Sequence, residues 1–511
     1  MAFGTRIAAE EALVDFHGLR ITDLQRGVAA LDDSAARCLL SSPAALRDVY
    51  EQLRTGRAAR AAGERQVTLP VHIAGRAALV SVEVSSRRVT GVVEVPGLMF
   101  VLGDDNIVFG AWDRLIAYRP AERQIRVLPG HGGEIIPGRL VDHVAALRER
   151  VVRGRLQPVQ LDIDPTMVCP SRCLFCFSAG YRKTRTSGLR LSNDLLLRTI
   201  GSWIDLGVKV VRFDGGGDPL AHPRCLDAIE YAAARGVRTA LLTAGDALHP
   251  PDLDRLVAAK TYVRVSLNAA SDEVRSAVHS PRGGISRVES LYELMRRLAE
   301  QRAEAYGTWP QPHMLLGATF MLHPLNVSEI DEAARRVMDV GFDHISFRVI
   351  LGRAHAAAFT AELRSLAEEK LRRAAALSHD QFRVFVPTRD LTDTGYAPAH
   401  YFSRCISSTH RVLVEVGRSE NEAAIVPCGR YRGHGFTSGE SRSPHVLAQI
   451  DAQTNVGAVW GAKEVNQSIG RYPAVCGDCI DRSANLMFNA MLDALSEDLD
   501  TEFYRARATG Q

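Results

Sequence analysis

Three cysteines stand within eight residues, in the string Cys169-Pro170-Ser171-Arg172-Cys173-Leu174-Phe175-Cys176. A closed structural zinc site takes four protein ligands, and so does an iron–sulfur cube held by protein alone. Three thiolates from one tight loop therefore leave one coordination position open to a small molecule. The loop follows a strand-like run at 159–163 and precedes a helical pattern that starts near Ser192. That makes it the first strand-to-helix loop of a β/α unit, and such folds bind ligands at the carboxyl ends of their strands. The pattern predicts a metal-binding trio at an active site; a zinc loop or a redox trio would use the same residues.

The next strand candidate, Val210-Val211-Arg212-Phe213, runs into Asp214-Gly215-Gly216-Gly217-Asp218-Pro219. Three consecutive glycines let a backbone turn sharply and bring exposed peptide groups close to a ligand, which is more than a plain turn needs. Later strand candidates lie at 262–268, ending in small polar residues, at 315–322, and at 344–348 with Arg348 near its end. Strands and helices alternate six times over 156–380, and a helical segment at 356–376 follows the last strand. The expected fold is α/β: a partial (β/α)6 barrel, open on one side and able to admit a larger substrate.

Cys-x3-Cys-x2-Cys with an aromatic, Phe175, before the third cysteine resembles the signature of the radical S-adenosylmethionine (SAM) superfamily. The resemblance spans roughly residues 161–349. It implies a [4Fe–4S] cluster held at three irons by Cys169, Cys173 and Cys176, with the fourth iron chelated by the amino and carboxylate groups of SAM. The glycine run resembles the family's GGE motif, so Gly215, Gly216, Gly217 and Asp218 would bind the SAM amino group. Asp218 stands where Glu is usual and is one methylene shorter. Ser266, Asn268 and Arg348 are further candidate SAM contacts. The implied chemistry begins with one electron from the low end of the roughly −700 to +450 mV range open to such clusters. It yields methionine and a 5′-deoxyadenosyl radical, which takes hydrogen from an unactivated C–H bond; the protein positions that carbon.

A second cysteine set, Cys405, Cys428, Cys476 and Cys479, lies within 395–511. Strand candidates at 411–416 and 422–426 form a hairpin, which Cys405 precedes and Cys428 closes. Cys476-Gly477-Asp478-Cys479 then supplies two sulfurs from one turn, ahead of a helical pattern at 484–507. Four cysteines in two pairs make a complete ligand set, which zinc in a ribbon-like knuckle would also satisfy. The order resembles the twitch extension of radical SAM enzymes, a shortened SPASM domain. That implies one auxiliary [4Fe–4S] cluster with four protein ligands, serving electron transfer or structure. Of the two remaining cysteines, Cys38 and Cys225, the second opens a helical pattern at 223–235 just past the glycines. Cys225 is a candidate hydrogen-atom donor, or else a small buried residue; Tyr181 is another candidate donor.

Residues 1–155 lie outside the resemblance. A helical pattern at 43–60 is followed by strand candidates at 67–73, 78–84, 89–95, 99–102, 106–109, 115–118 and 124–127, and then by a helix at 140–153. This reads as an α+β accessory or substrate-recognition domain, with more strands than the roughly three of a leader-binding winged helix. Three domains are expected: 1–155, 156–380 and 395–511. A net charge of +3 makes no case for nucleic acid or an anionic membrane. No run of about 18 apolar residues predicts a membrane span, and the N-terminal stretch, with Glu10 and Glu11, is not a secretory signal. Nine cysteines in 511 residues do not make a disulfide scaffold, and a reducing cytoplasm is the consistent setting.

The barrel-plus-twitch layout most resembles sugar and aminocyclitol dehydrogenases and epimerases of antibiotic pathways. The composition, rich in Arg, Ala and Gly, fits a high-GC bacterium. The expected substrate is a sugar or oligosaccharide-like intermediate, and the expected electron donor a flavodoxin or ferredoxin. Loss of a proton and an electron from the substrate radical would give dehydrogenation; return of a hydrogen on the other face would give epimerisation. A peptide maturase forming a cross-link, epimer or thioether is the alternative, and a non-catalytic metal-binding protein is a third reading.

Overall fold

The computed structural model describes the strand backbones within 13–128, positions 146 and 150, and residues 156–178, 188–281, 287–307, 314–350, 353–379, 381–387, 391, 405–433, 445–462 and 465. The chain divides into two compact units, one built chiefly from Leu156–Arg482, the other from Gly4–Arg155 with Ser483–Gln511.

In the second unit eight strands form one antiparallel sheet: β1 (Leu13–Asp15), β2 (Gln66–Ile73), β3 (Arg76–Val84), β4 (Val89–Val95), β5 (Leu98–Leu102), β6 (Ile107–Ala111), β7 (Arg114–Arg119) and β8 (Gln124–Leu128). The order is β1-β8-β7-β6-β5-β4-β3-β2. From β2 to β8 each strand pairs with its successor, the meander that short alternating runs and frequent turn residues predict. The sequence reading missed β1, because three residues are too few to show a period. The expected helix at 43–60 lies outside the described residues; of the one at 140–153, Ala146 and Arg150 are described and are helical.

The first unit holds a ten-stranded sheet. Seven strands run parallel in chain order: β9 (Gln160–Asp164), β10 (Val210–Phe213), β11 (Arg238–Thr243), β12 (Tyr262–Ser266), β13 (Leu316–Leu322), β14 (His344–Val349) and β15 (Arg383–Phe385). Helices α1 (Asn193–Asp205), α2 (Cys225–Ala234) and α3 (Pro250–Ala258), then, after the short α4 (Asp272–His279) that follows β12, α5 (Val288–Tyr306), α6 (Ile330–Asp339) and α7 (Ala361–Ala375) cover one face. The six expected β/α units are present. β15 is an addition, three residues long and again below the length at which alternation shows. The predicted hairpin, β16 (Arg411–Val416) with β17 (Ala423–Val426), forms and does not stand alone. β16 pairs parallel to β9, and β18 (Ala448–Ile450) follows β17, so the hairpin extends the barrel sheet beyond its first strand.

Alternation along each strand decides which face is which. Leu161, Ile163, Val211, Phe213, Val263, Val265, Ala318, Phe320, Ile345, Phe347, Val412 and Val414 pack with the helices in one continuous core. The intervening residues, among them Asp162, Asp164, Arg212, Tyr262, Arg264, Thr319, His344, Arg348 and Glu415, occupy the other face. A sheet covered by apolar layers on both sides would read apolar at every position. On this one the face without helices is mostly polar, broken by small apolar clusters around Ala240, Leu242 and Tyr262 and around Leu413, Ala424 and Val426. No helix among the described residues is long and apolar enough to cross a membrane.

Close packing on the polar face is tight at β13–β14. Gly317 is the register partner of His344, whose ring lies where a side chain would stand: an added Cβ would come 2.1 Å from Nε2. His344 is itself held by Tyr262, whose hydroxyl lies 3.1 Å from the same nitrogen. Gly317→Ala should therefore destabilise the unit by about 1–3 kcal/mol, the usual cost of overpacking. A lowered denaturant midpoint with an unchanged slope is the expected readout.

Candidate active site

The cysteine loop leaves the carboxyl end of β9 and is laid against the end of α4. Arg172 N donates to His279 O (2.9 Å) and Leu174 N to Val278 O (2.9 Å), while Ser171 bridges to Pro281. These bonds satisfy carbonyls that the last turn of a helix leaves unpaired, so α4 fixes the loop's shape. Ser171 Oγ adds a bond to Asp246 Oδ2 (2.9 Å), and Asp246 is paired with the fully buried Arg275 (2.9 Å). Cys169, Cys173 and Cys176 are each half-buried, and Phe177 just beyond them is 58% exposed.

Beside this loop lies the glycine turn at the end of β10. Gly217 N donates to Thr166 O (3.0 Å) and Asp218 N to Val168 O (2.9 Å). A Cβ on Gly217 would come 2.1 Å from Val168 O, and one on Gly216 would come 2.5 Å from Met167 Sδ. The glycines thus let the turn press against the chain as it enters the cysteine loop. Ser178 Oγ sits 3.9 Å from that Gly216 position, fully buried and without a hydrogen-bond partner among the described residues. An orphaned hydroxyl between the two loops is a polar atom placed to meet a ligand.

The other predicted SAM contacts are placed differently. Asp218 is 3% exposed, and its carboxylate accepts from Thr243 Oγ1 (2.8 and 3.0 Å), Ala244 N (2.8 Å) and Leu220 N (3.0 Å). It ties the glycine turn to the end of β11, and burial pushes its pKa up. Asn268 is buried in the left-handed region (φ 58°), which Asn tolerates better than most residues. Its Oδ1 accepts from Met321 N (2.7 Å) and its Nδ2 faces His279 Nε2 (3.0 Å). Ser266 and Arg348 are half-buried at the ends of β12 and β14. Cys225 is 1% exposed within the helical core, and burial raises its thiol pKa. In that position it serves as a small apolar side chain, the commoner fate of a buried cysteine.

Of the second cysteine set, Cys405 and Cys428 pack against one small cluster of Leu413, Ala424, Val426, Tyr431 and Val446. The hairpin therefore brings the two close in space. Cys476 and Cys479 lie outside the described residues, as does Tyr181. Among the described residues no three Cys, His, Asp or Glu side chains converge on one point as a single metal ion requires. A cube takes one thiolate per iron, so its ligands stand apart. The three half-buried thiolates, with an orphaned hydroxyl beside them, fit a cluster that leaves one iron for an outside ligand.

The feature that sequence reading missed is Arg432, four residues past Cys428. Its guanidinium is 7% exposed and grips Asp164, with Nη2 at 2.9 Å from Oδ1 and Nε on Oδ2, and it reaches Asp214 Oδ2 at 3.2 Å. Its charged end also lies 5.3 Å from the Phe177 ring. Gly433 N donates to Glu415 Oε2 (2.5 Å), and Glu415 is the register partner of Asp164. Burial raises the Asp164 pKa to about 6 although Arg432 opposes it. Burial acts the same way on Asp214, but Arg432 and Arg212 outweigh it and hold that pKa low. A polar residue at every second position of Leu161-Asp162-Ile163-Asp164 was the available signal for this face. A cavity of about 350 Å³ lies elsewhere, by Asp205, Tyr231, Arg235 and Thr454, at the helical ends that precede the strands.

Residues 163–337 match the model of the Radical SAM superfamily. Over 155 residues the chain is 29% identical to the mycofactocin maturase MftC of Mycobacterium ulcerans, covering 30% of this chain and 40% of that protein. It is 31% identical over 140 residues to MftC of Mycobacterium tuberculosis, covering 26% and 34%. The matched segment thus spans well under half the length of these relatives. The crystal structure of Streptococcus suis SuiB bound to S-adenosylmethionine superposes with a TM-score of 0.46 at 15% identity, covering 65% of this chain and 72% of that one.

Arg432→Met should leave Asp164 and Asp214 without their shared counter-charge, at a cost of about 3–5 kcal/mol near neutral pH. The sign with pH is fixed. Without Arg432 the folded Asp164 carboxyl takes up a proton at a pH where the unfolded one, near 4, has lost it, while Arg212 still faces Asp214. The variant's deficit should therefore shrink toward pH 5 and grow toward pH 8, measured by denaturant unfolding at the two pH values.

Proposed function

We propose that this chain is a radical SAM enzyme that modifies a peptide. The observation that carries the catalytic half is the placement of Cys169, Cys173 and Cys176 at the end of β9, beside the glycine turn at the end of β10, inside the segment that matches the superfamily. Cys169, Cys173 and Cys176 would hold a [4Fe–4S] cluster, which when bound supplies the electron that splits SAM. The chain's own part is to hold the loop rigid through α4, to bring the glycine turn and Ser178 against it, and to present the polar face of the sheet to the substrate. Half-burial of the cysteines keeps the open position reachable while limiting solvent.

For the substrate, the peptide reading replaces the sugar-like one as the better supported. The relatives at 29% and 31% identity are named maturases, and among the described residues no feature of the site singles out a sugar. The eight-stranded sheet of the N-terminal unit is not a three-stranded winged helix, but that argues only against one kind of leader-binding module and not against a peptide. Cys405, Cys428, Cys476 and Cys479 would hold an auxiliary cluster of twitch type, with electron transfer as its role; a flavodoxin or ferredoxin would reduce the SAM-binding cluster.

Anaerobically reconstituted protein should contain about eight iron and eight sulfide per chain; four iron with one zinc would remove the auxiliary cluster. The reduced protein should convert SAM to 5′-deoxyadenosine and methionine, and replacing Cys169, Cys173 and Cys176 by Ala should abolish this. Replacing Cys476 and Cys479 should spare the cleavage and stop product formation. Mass spectrometry of a short peptide encoded beside the gene, before and after turnover, tests the substrate class. A change in its mass or stereochemistry supports the peptide reading, and conversion of an aminocyclitol or sugar instead overturns it.

A further inference from the structure

His279 ends α4 with its ring buried between the candidate cluster loop and the turn that follows β12. Its Nδ1 lies 3.5 Å from Cys173 Sγ, a normal separation for a hydrogen bond to sulfur, and its ring meets Phe175 edge-on at 6.1 Å. The opposite nitrogen decides which one carries the proton. Asn268 Oδ1 is committed to Met321 N at 2.7 Å, so its amide Nδ2 is the atom that faces His279 Nε2 at 3.0 Å. Arg275 Nη1 lies 3.5 Å from the same Nε2 and donates to the nearby Leu267 carbonyl at 2.7 Å. Nε2 thus faces the Asn268 amide nitrogen and accepts from it. A ring that accepts at Nε2 carries its hydrogen on Nδ1.

We propose that His279, held as the Nδ1–H tautomer by Asn268, donates a hydrogen bond to the Cys173 thiolate and so raises the reduction potential of the cluster that this thiolate ligates. The proposal rests on the reading of Cys169, Cys173 and Cys176 as cluster ligands. Hydrogen bonds to cluster sulfurs are among the determinants of potential, and a donor stabilises the more negative, reduced state more than the oxidised one. His279 is a positioning residue: it acts through Cys173 and joins α4, the β12 turn and the cysteine loop in one buried network.

The test is electron paramagnetic resonance on the full-length reconstituted protein. In the signal that added SAM perturbs, pulsed measurements on protein carrying 15N-histidine should show a histidine nitrogen coupled to the reduced cluster. Potentiometric titration should place His279→Phe, which keeps the ring and loses the donor, at a more negative midpoint than the unsubstituted protein. His279→Asn, whose amide nitrogen can occupy the Nδ1 position, should return the midpoint toward the original. A SAM-sensitive cluster signal with no histidine coupling overturns the proposal and leaves the ligand reading standing, as does an unchanged midpoint in His279→Phe. A protein with no SAM-sensitive cluster signal overturns the ligand reading and the proposal with it. The labelled measurement uses the unsubstituted chain, so a variant that fails to fold does not block the decision.

Discussion

The buried guanidinium of Arg432 is the contact on which the geometry of the site depends. It lies between Asp164, the last residue of β9, and Asp214, the residue that opens the glycine turn. It also belongs to the segment that leaves Cys428. One positive charge therefore joins the entrance of the cysteine loop, the glycine turn and the chain past the C-terminal hairpin. A charge so enclosed stays only where carboxylates neutralise it. Asp164 in turn would lose its counter-charge without it, and Asp214 would keep only Arg212. Parallel pairing of β16 with β9 adds the backbone half of the same junction, and Glu415 holds the residue after Arg432 in place.

That junction changes the relation between the two cysteine sets. Read along the chain, they belong to separate domains with more than two hundred residues between them. In the fold, the hairpin that carries Cys405 and Cys428 is a continuation of the barrel sheet. An electron-transfer role for the second set needs proximity and a fixed path, and a shared sheet with a buried ionic clamp supplies rigidity to any such path. α4 gives the loop a second anchor, through backbone bonds from Arg172 and Leu174 and through the His279 network. The cysteine loop is thus held from two sides by elements that are distant in sequence.

Much of this was legible beforehand where the signal is local. The strand-to-helix position of the cysteines, the glycine turn, the six β/α units, the hairpin and the N-terminal meander all follow from short-range pattern and turn chemistry. What escaped was set by tertiary partners. Nothing near Asp218 in the chain says that Thr243 and Ala244 will engage its carboxylate, and nothing near Cys225 says that it will face the helical core. Arg432 and His279 carry no motif; the carboxylates that meet Arg432 and the cysteine that meets His279 lie a hundred or more positions away. The pairing of β16 with β9 spans about 250 residues and leaves no trace in the periodicity of either strand. The substrate class is a different case, since it depends on side chains that meet an absent molecule, and the analogy to sugar enzymes had no residue behind it.

The central claim is that the position left open by Cys169, Cys173 and Cys176 is filled by SAM. It is tested most directly by electron–nuclear double resonance on the reduced full-length protein with SAM labelled at the methionine nitrogen and carboxylate oxygens. The account predicts hyperfine coupling of both labels to the cluster spin, lost when any of the three cysteines is replaced by Ala. A reduced cluster that shows no coupling to either label, with SAM bound, would contradict it.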